Sequence, residues 1–134
     1  MERFDVIDTC VKMAWYADQR QWAELAEVFA DQVTLDYTSL DGGEPATLTP
    51  AQIVGGWQAV LGGYAATQHL LSHPLVVVDG DTALCTAPFQ ATHRKSDDTS
   101  WTLGGTYRFE LARTRSGWRI TAVVMAAAWN DGVR

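Results

Sequence analysis

Apolar residues in the first part of the chain recur at the three- and four-residue spacing of α-helices. The first stripe predicts an amphipathic helix and consists of Phe4, Ile7, Val11, Ala14 and Trp15. Asp18 falls on this same stripe. A second helix is predicted from a shorter apolar face made of Trp22, Leu25, Ala26 and Phe29. An ionisable side chain is therefore in line with the buried face of the first helix.

A third helix is indicated by its start and stop signals. Thr49 and Gln52 have the spacing of a capping box, and Pro50 occupies the first helical position. The pair Gly62-Gly63 predicts a left-handed end. The inward face of this helix is predicted to contain Ile53, Val54, Trp57, Val60 and Leu61.

The remaining elements have the two-residue period of β-strands. A short strand is predicted before the loop LDGGEP, with Tyr37 on its buried face and Asp36 on its exposed face. Asp79-Gly80 and Ser116-Gly117 predict hairpin turns. Beyond the third helix, alternating segments cover approximately residues 65–78, 81–95, 100–113 and 117–129.

This order of elements predicts an α+β fold with a single domain over residues 1–134. A doubly wound sheet needs alternating strands and helices, whereas here three helices precede a long antiparallel meander. A strongly curved sheet wrapped around the helices would leave a cavity on its concave side, which is a common place for a ligand.

Charge and cysteine content exclude several classes of partner. The net charge is −6 and the basic residues are scattered, so nucleic-acid binding is not expected. No apolar segment is long enough to cross a membrane, and the charged start of the chain does not resemble a secretory signal. Cys10 and Cys85 are expected to be reduced core thiols of a cytoplasmic protein.

Ionisable residues in register with apolar positions are the candidates for chemistry, because an unpaired buried charge is costly. Asp18 has this position on the first helix, unless that helix ends early and Asp18 lies in a solvated loop. His93 shares its strand face with small and apolar residues, although a strand-end histidine can also twist into solvent. His69 shares a face with Leu71, and it could simply donate to a backbone carbonyl in the core. His73, before Pro74, is interpreted as structural.

The sequence has no motif for a metal or a nucleotide. It contains no H-E-x-x-H motif, no cysteine cluster, no G-x-S-x-G elbow and no dinucleotide fingerprint. No metal and no cofactor are therefore expected. Acid–base chemistry and plain ligand binding are the classes that remain.

Several short motifs resemble the SnoaL-like branch of the nuclear transport factor two-like superfamily, which includes scytalone dehydratase, lindane dehydrochlorinase, ketosteroid isomerase and polyketide cyclases. The likeness extends over nearly the whole chain. The motifs are Trp15-Tyr16-Ala17-Asp18 with Trp22, Leu35-Asp36-Tyr37-Thr38-Ser39, Thr67-Gln68-His69, Gly104-Gly105-Thr106-Tyr107 and Gly117-Trp118.

This resemblance implies a cone-shaped α+β barrel with a catalytic pocket. The positions that match the pocket residues of dehydratase-like members are Asp18, His69, His93 and Tyr37. Scytalone dehydratase differs from this chain at Ala17, Gly105 and Tyr107, which argues against the same substrate. The aromatic walls expected to hold a ligand are Trp57, Phe89 and Tyr107.

The implied activity is cofactor-independent dehydration, isomerisation or cyclisation of a small apolar or polyketide-like molecule. Asp18 would orient His69 as the base, while His93 and Tyr37 would protonate a leaving group or hold an enolate oxygen. The alternative is a non-catalytic binding or assembly domain of the same fold. Epoxide hydrolysis would need an Asp-Arg-Asp cluster, and no inward-facing arginine is predicted.

A homodimer or homotrimer is expected through the outer face of the sheet, where relatives of this type commonly associate. The residues predicted to point outward there form a mixed, partly apolar surface. They are Thr102, Thr106, Thr121, Val123 and Met125.

Overall fold

The computed structural model describes residues 1–134, which form four helices and seven strands. The helices are α1 (Glu2–Asp18), α2 (Trp22–Ala26), α3 (Thr38–Asp41) and α4 (Pro50–Leu61). The strands are β1 (Phe29–Asp36), β2 (Ala46–Leu48), β3 (Ala66–Leu71), β4 (Leu75–Asp79), β5 (Thr82–Arg94), β6 (Ser100–Thr114) and β7 (Gly117–Asp131).

All seven strands belong to one curved sheet, on which the N-terminal helices pack. The strand order is β2-β1-β7-β6-β5-β3, and β4 follows β3 along the same edge of β5. Every pair is antiparallel except β1 with β7, which is parallel. The predicted α+β class is thus confirmed. No helix of the chain has the length and apolarity needed to cross a membrane.

The first alternating segment is two strands and not one. Residues 72–74 separate β3 from β4, and His73 has a positive φ of 49°. Such a conformation is uncommon outside glycine, and Pro74 has no N–H with which to continue a ladder. The predicted loop LDGGEP also contains structure, because α3 ends inside it and β2 begins directly after it.

The stripe predicted as the inward face of α1 is largely wrong. Phe4, Val11 and Trp15 are 73%, 43% and 58% exposed. The buried stripe is instead Val6, Cys10, Met13, Ala14 and Ala17, which has the same helical period but is rotated around the helix axis. Both stripes are apolar, so periodicity alone does not distinguish the one that faces the core.

Helix α4 begins as predicted and ends differently. Thr49 and Gln52 form the complete capping box. At the other end Gly62 is right-handed, with φ −63°, so the predicted left-handed stop is wrong. A side chain at Gly62 would place its Cβ 2.4 Å from the Gln58 carbonyl oxygen, so lack of space is the reason for glycine there.

A bulge in the β6–β7 pair changes which residues of β7 face inward. Leu111 pairs with Ile120 while Glu110 pairs with Ala122, so Thr121 is an extra residue. One inserted residue reverses the alternation of all residues that follow it. Val123 and Met125, predicted to point outward, are therefore buried at 0% and 3% exposure.

The hydrophobic core lies between the helices and the concave face of the sheet. Phe109 on β6 is its largest fully buried side chain, and it contacts the ring of Tyr107 with centroids 5.4 Å apart. Cys10 and Cys85 are free thiols and both are buried, as predicted. The side-chain hydrogen bond with Cys85 raises the pKa of the Cys10 thiol, and burial raises it further.

Replacing Phe109 with alanine should lower the free energy of unfolding by about 3–5 kcal/mol, because it removes buried apolar surface and leaves a cavity. Phe4→Ala removes the same atoms from a residue that is 73% exposed, and it should change stability by less than about 0.5 kcal/mol. Denaturant unfolding measures both values. Equal losses for the two variants would contradict the core described here.

Candidate functional site

A largely apolar cavity lies inside the concave face of the sheet, with α1, α3 and α4 contributing to its walls. Its volume is about 350 Å³, within the usual range for small-molecule sites. Of its 25 lining residues, 18 are hydrophobic, so it suits a ligand with an apolar body. Among the polar side chains at its wall are His69, His93, Tyr37 and Tyr107.

Asp18 and His69 form a hydrogen-bonded pair at the junction of α1 and β3. Asp18 Oδ1 lies 2.7 Å from His69 Nδ1, and the two side chains are 10% and 13% exposed. Asp18 Oδ2 accepts a bond of 2.6 Å from the His69 backbone N–H. A carboxylate can only accept, so the Nδ1 atom of His69 carries the proton and Nε2 keeps a lone pair.

The end of α1 determines where this carboxylate lies. Asp18 is the last residue of the helix and directly follows buried Ala17. The chain then turns at Arg20, which has a positive φ of 58°. The alternative that Asp18 is a solvated loop residue is thus wrong. The apolar stripe with which Asp18 was aligned is also not the buried face of α1. Asp18 adjoins the true buried stripe.

Asp18 lies behind His69 and does not line the cavity itself. Its exposed edge faces a separate groove between α1 and β3, which His69 also borders. His69, on the inward face of β3, is the member of the pair that borders the cavity. A cavity ligand would therefore meet the imidazole, with the carboxylate positioned to orient it.

His93 is buried next to His69, and the two ring centroids are 5.7 Å apart in a T-shaped contact. Its Nδ1 lies 3.1 Å from the Trp101 carbonyl oxygen, so Nδ1 donates and Nε2 is left as an acceptor. Burial lowers the pKa of His93, and the bond to the Trp101 carbonyl offsets only part of this effect. The alternative of a strand-end histidine in solvent is wrong.

Tyr37 and Tyr107 lie close together on another part of the wall, with ring centroids 6.5 Å apart. Tyr37 follows β1 by one residue, so it is not on the strand as predicted. Burial raises the pKa of Tyr37 well above 10 and that of Tyr107 to about 12. Both phenols are therefore protonated near neutral pH and can donate hydrogen bonds.

The three aromatic residues predicted to hold a ligand all line the cavity. Phe89 and Tyr107 pack with centroids 4.3 Å apart, and Trp57 contacts Tyr37 edge-on at 6.3 Å. The structure thus brings six of the seven predicted site residues to the wall, and places Asp18 directly behind it. No three His, Cys, Asp or Glu side chains are grouped so that they could hold a metal ion.

Some cavity residues were missed by the sequence reasoning. Trp101 stacks on His93 at 4.5 Å, and its cross-strand register with His93 is visible only once β5 and β6 are paired. At the mouth, Arg134 donates to Asp41 over 2.8 Å and lies 5.3 Å above the Trp101 ring. Thr67 borders the outer groove and not the cavity. Its position could have been predicted, because a residue two positions from His69 on a strand lies on the same face.

Comparisons with known proteins identify the family of the chain. No curated protein matches the sequence. The Kfla4162 protein of Kribbella flavida is 28% identical, with a TM-score of 0.92 over 97% of this chain and 93% of that one. A candidate scytalone dehydratase from Novosphingobium aromaticivorans is 17% identical, with a TM-score of 0.85 over 99% and 89% of the two chains.

A hexachlorocyclohexane dehydrochlorinase, LinA type 2, is 16% identical, with a TM-score of 0.83 over 98% of this chain and 88% of that one. At these two lower identities the likeness establishes the fold alone. The family model described as the SnoaL-like domain matches residues 2–124, which is most of the chain. The protein therefore belongs to the SnoaL-like domain family.

Proposed function

We propose that the protein is a cofactor-independent acid–base catalyst of the dehydratase, isomerase or cyclase type. Its substrate would be a small apolar or polyketide-like molecule held in the cavity. The observation that carries this proposal is the 2.7 Å bond between Asp18 and His69, with the imidazole at the wall of an apolar cavity. Structurally similar proteins described as a dehydratase and a dehydrochlorinase give the same general direction.

His69 is the proposed base. Because Asp18 occupies Nδ1, the lone pair of His69 is on Nε2, the ring nitrogen that can take a proton from a bound ligand. The carboxylate behind it stabilises the imidazolium that results. Proton abstraction beside a carbonyl or a leaving group is the first step common to dehydration, isomerisation and aldol-type cyclisation.

Tyr37 and Tyr107 are the proposed hydrogen-bond donors to the oxygen on which charge develops, and neutral His93 can reach that oxygen through a water molecule. The raised pKa values of the two tyrosines keep their hydroxyl groups protonated, so each can donate to an enolate or a leaving hydroxyl. His93 can accept a bond through Nε2 or hold a water. A plain binding module has no requirement for so many ionisable groups around an apolar ligand.

If this assignment holds, Asp18→Asn should reduce turnover by roughly two to four orders of magnitude, because it removes the charge that stabilises the imidazolium. His69→Ala should give a similar loss, and the two losses should not add, because they disable one unit. Small carbonyl and hydroxy-aromatic compounds would be screened for binding by thermal shift and then for conversion by absorbance.

Asp97→Asn is the matched control, because Asp97 is an exposed aspartate bonded to Thr99 in a turn. It should leave turnover unchanged. Compounds that bind without conversion over the pH range in which histidines titrate would instead support the binding domain, whose affinity should depend on Trp57, Phe89 and Tyr107. Conversion that Asp18→Asn leaves intact would show that the site is wrong.

The neutral state of His93 has a consequence for stability. Its pKa is below the usual 6.5 in the folded protein. As the pH falls, His93 is therefore protonated at a higher pH in the unfolded chain than in the folded protein. His93 thus favours folding fully above about pH 6.5, and its contribution falls as the pH drops through the lower folded value. His93→Gln should remove up to about 1.4 kcal/mol per pH unit from the slope in that window.

Unfolding free energies measured between pH 7 and pH 4 would test this slope. His73→Gln provides the control, because it makes the same chemical change at an exposed residue; a change of slope equal to that of His93→Gln would show that burial is not the cause. Parallel curves for wild type and His93→Gln would mean that His93 is not held neutral by burial.

We also propose that the chain forms a homodimer or a homotrimer through the outer face of the sheet. Leu75 and Val77 on β4 are 71% and 63% exposed, and Leu70 on β3 is 53% exposed, so this edge presents an apolar surface. Thr102, Thr106 and Thr121 continue the outer face, without Val123 and Met125. Light scattering that gives only the monomer mass at high concentration would refute the proposal.

A further inference from the structure

Strand β3 supplies all three of the hydrogen bonds that the Asp18 carboxylate accepts. Besides the two from His69, Thr67 Oγ1 donates to Asp18 Oδ1 over 3.0 Å. Oδ1 is therefore shared between the Thr67 hydroxyl and the His69 ring, while Oδ2 is held by the His69 backbone N–H. Thr67 is buried at 9% exposure and has no other side-chain bond in the structure.

The register of β3 explains why these donors converge. Thr67 and His69 are two residues apart, so their side chains lie on the same face of the strand. That face packs against the C-terminal end of α1. Along its hydrogen-bonded edge, β3 pairs with β5 and places Thr67 opposite His93, which fixes the position of β3 relative to the cavity.

We infer that Thr67 is a positioning residue, which holds the Asp18 carboxylate so that His69 keeps its proton on Nδ1. Two donors on Oδ1 and one on Oδ2 fix the rotation of the carboxylate. Its in-plane acceptor direction then remains aligned with the imidazole N–H. The catalytic meaning of this role depends on the proposed function, since only the Nδ1–H tautomer leaves Nε2 able to accept a proton.

The alternative is that Thr67 merely satisfies a buried hydroxyl. The two roles differ in what the imidazole does when the hydroxyl is removed. In Thr67→Val the side-chain shape is nearly preserved, but the carboxylate loses one of its three donors and gains rotational freedom. The Asp18–His69 bond should then weaken, and part of the population should move its proton to Nε2.

The test is nitrogen NMR of the imidazole of His69 in protein labelled with ¹⁵N-histidine, without any ligand, at a pH where the ring is neutral. Wild type should show Nδ1 protonated and Nε2 unprotonated. Thr67→Val should raise the Nε2–H tautomer by about two- to tenfold, the range set by the loss of one hydrogen bond. Thr67→Ser keeps the hydroxyl and should restore the wild-type spectrum.

Thr92→Val is the matched control, because the Thr92 hydroxyl bonds to Thr102 across β5 and β6 and does not contact Asp18. It should leave the His69 tautomer unchanged. A Thr67→Val spectrum equal to wild type, or the same change in Thr92→Val, would overturn the inference. Asp18→Asn should give the largest change. The readout needs no turnover, so a failure of the proposed enzymatic function would be seen separately.

Discussion

The Asp18 carboxylate is a largely buried charge at the C-terminal end of a helix, where a negative charge is unfavourable. The geometry of the site follows from the hydrogen bonds that stabilise this charge. It lies in the last turn of α1, where the helix dipole disfavours an anion, and its side chain is 10% exposed. Three donors on β3 compensate it. Removing one partner of a buried charged group typically costs about 3–5 kcal/mol, so α1 and β3 are joined at this point.

The same junction connects the helical layer to the cavity. The strand that binds Asp18 with its backbone also carries His69 to the cavity wall, and β5 places His93 beside it. Trp101 and Tyr64 pack against the ring of His93, which excludes water and favours the neutral imidazole. His69 and His93, the two histidines of the proposed site, are thus held by strands of the sheet.

The glycines of β6 contribute through close approach of the chain. Trp129 covers Gly104, where a Cβ would lie 2.2 Å from its ring, and the Ala126 carbonyl lies 2.0 Å from the equivalent position at Gly105. Side chains there would displace the end of β7. Glycine is therefore required at both positions of the Gly104-Gly105 motif, because there is no space for a side chain.

Much of the fold, and the location of most candidate residues at the cavity wall, could be predicted from the sequence. The change from a helical to a two-residue period after α4 predicted the α+β class. The alternation of apolar residues along β3 and β5 predicted that His69 and His93 point inward. Asp18 was indicated as a candidate, but from an apolar stripe that is exposed, because α1 has two such stripes.

Other features depend on contacts that no local pattern encodes. The extra residue at Thr121 reversed the expected faces of Val123 and Met125, since a bulge has no reliable sequence signature. The part played by Thr67 needs the end of α1 to lie against β3. The same is true of Trp101, whose partner His93 is defined by strand pairing.

The proposed site is tested most directly by a crystal structure with a bound ligand, using the compound that gives the largest thermal shift among small carbonyl and hydroxy-aromatic molecules. We expect the molecule to lie in the cavity against Phe89 and Tyr107. An oxygen or acidic carbon should be within hydrogen-bonding distance of His69 Nε2, with the Asp18–His69 bond intact. A ligand bound in the outer groove, or one whose polar atoms face away from His69, would contradict it.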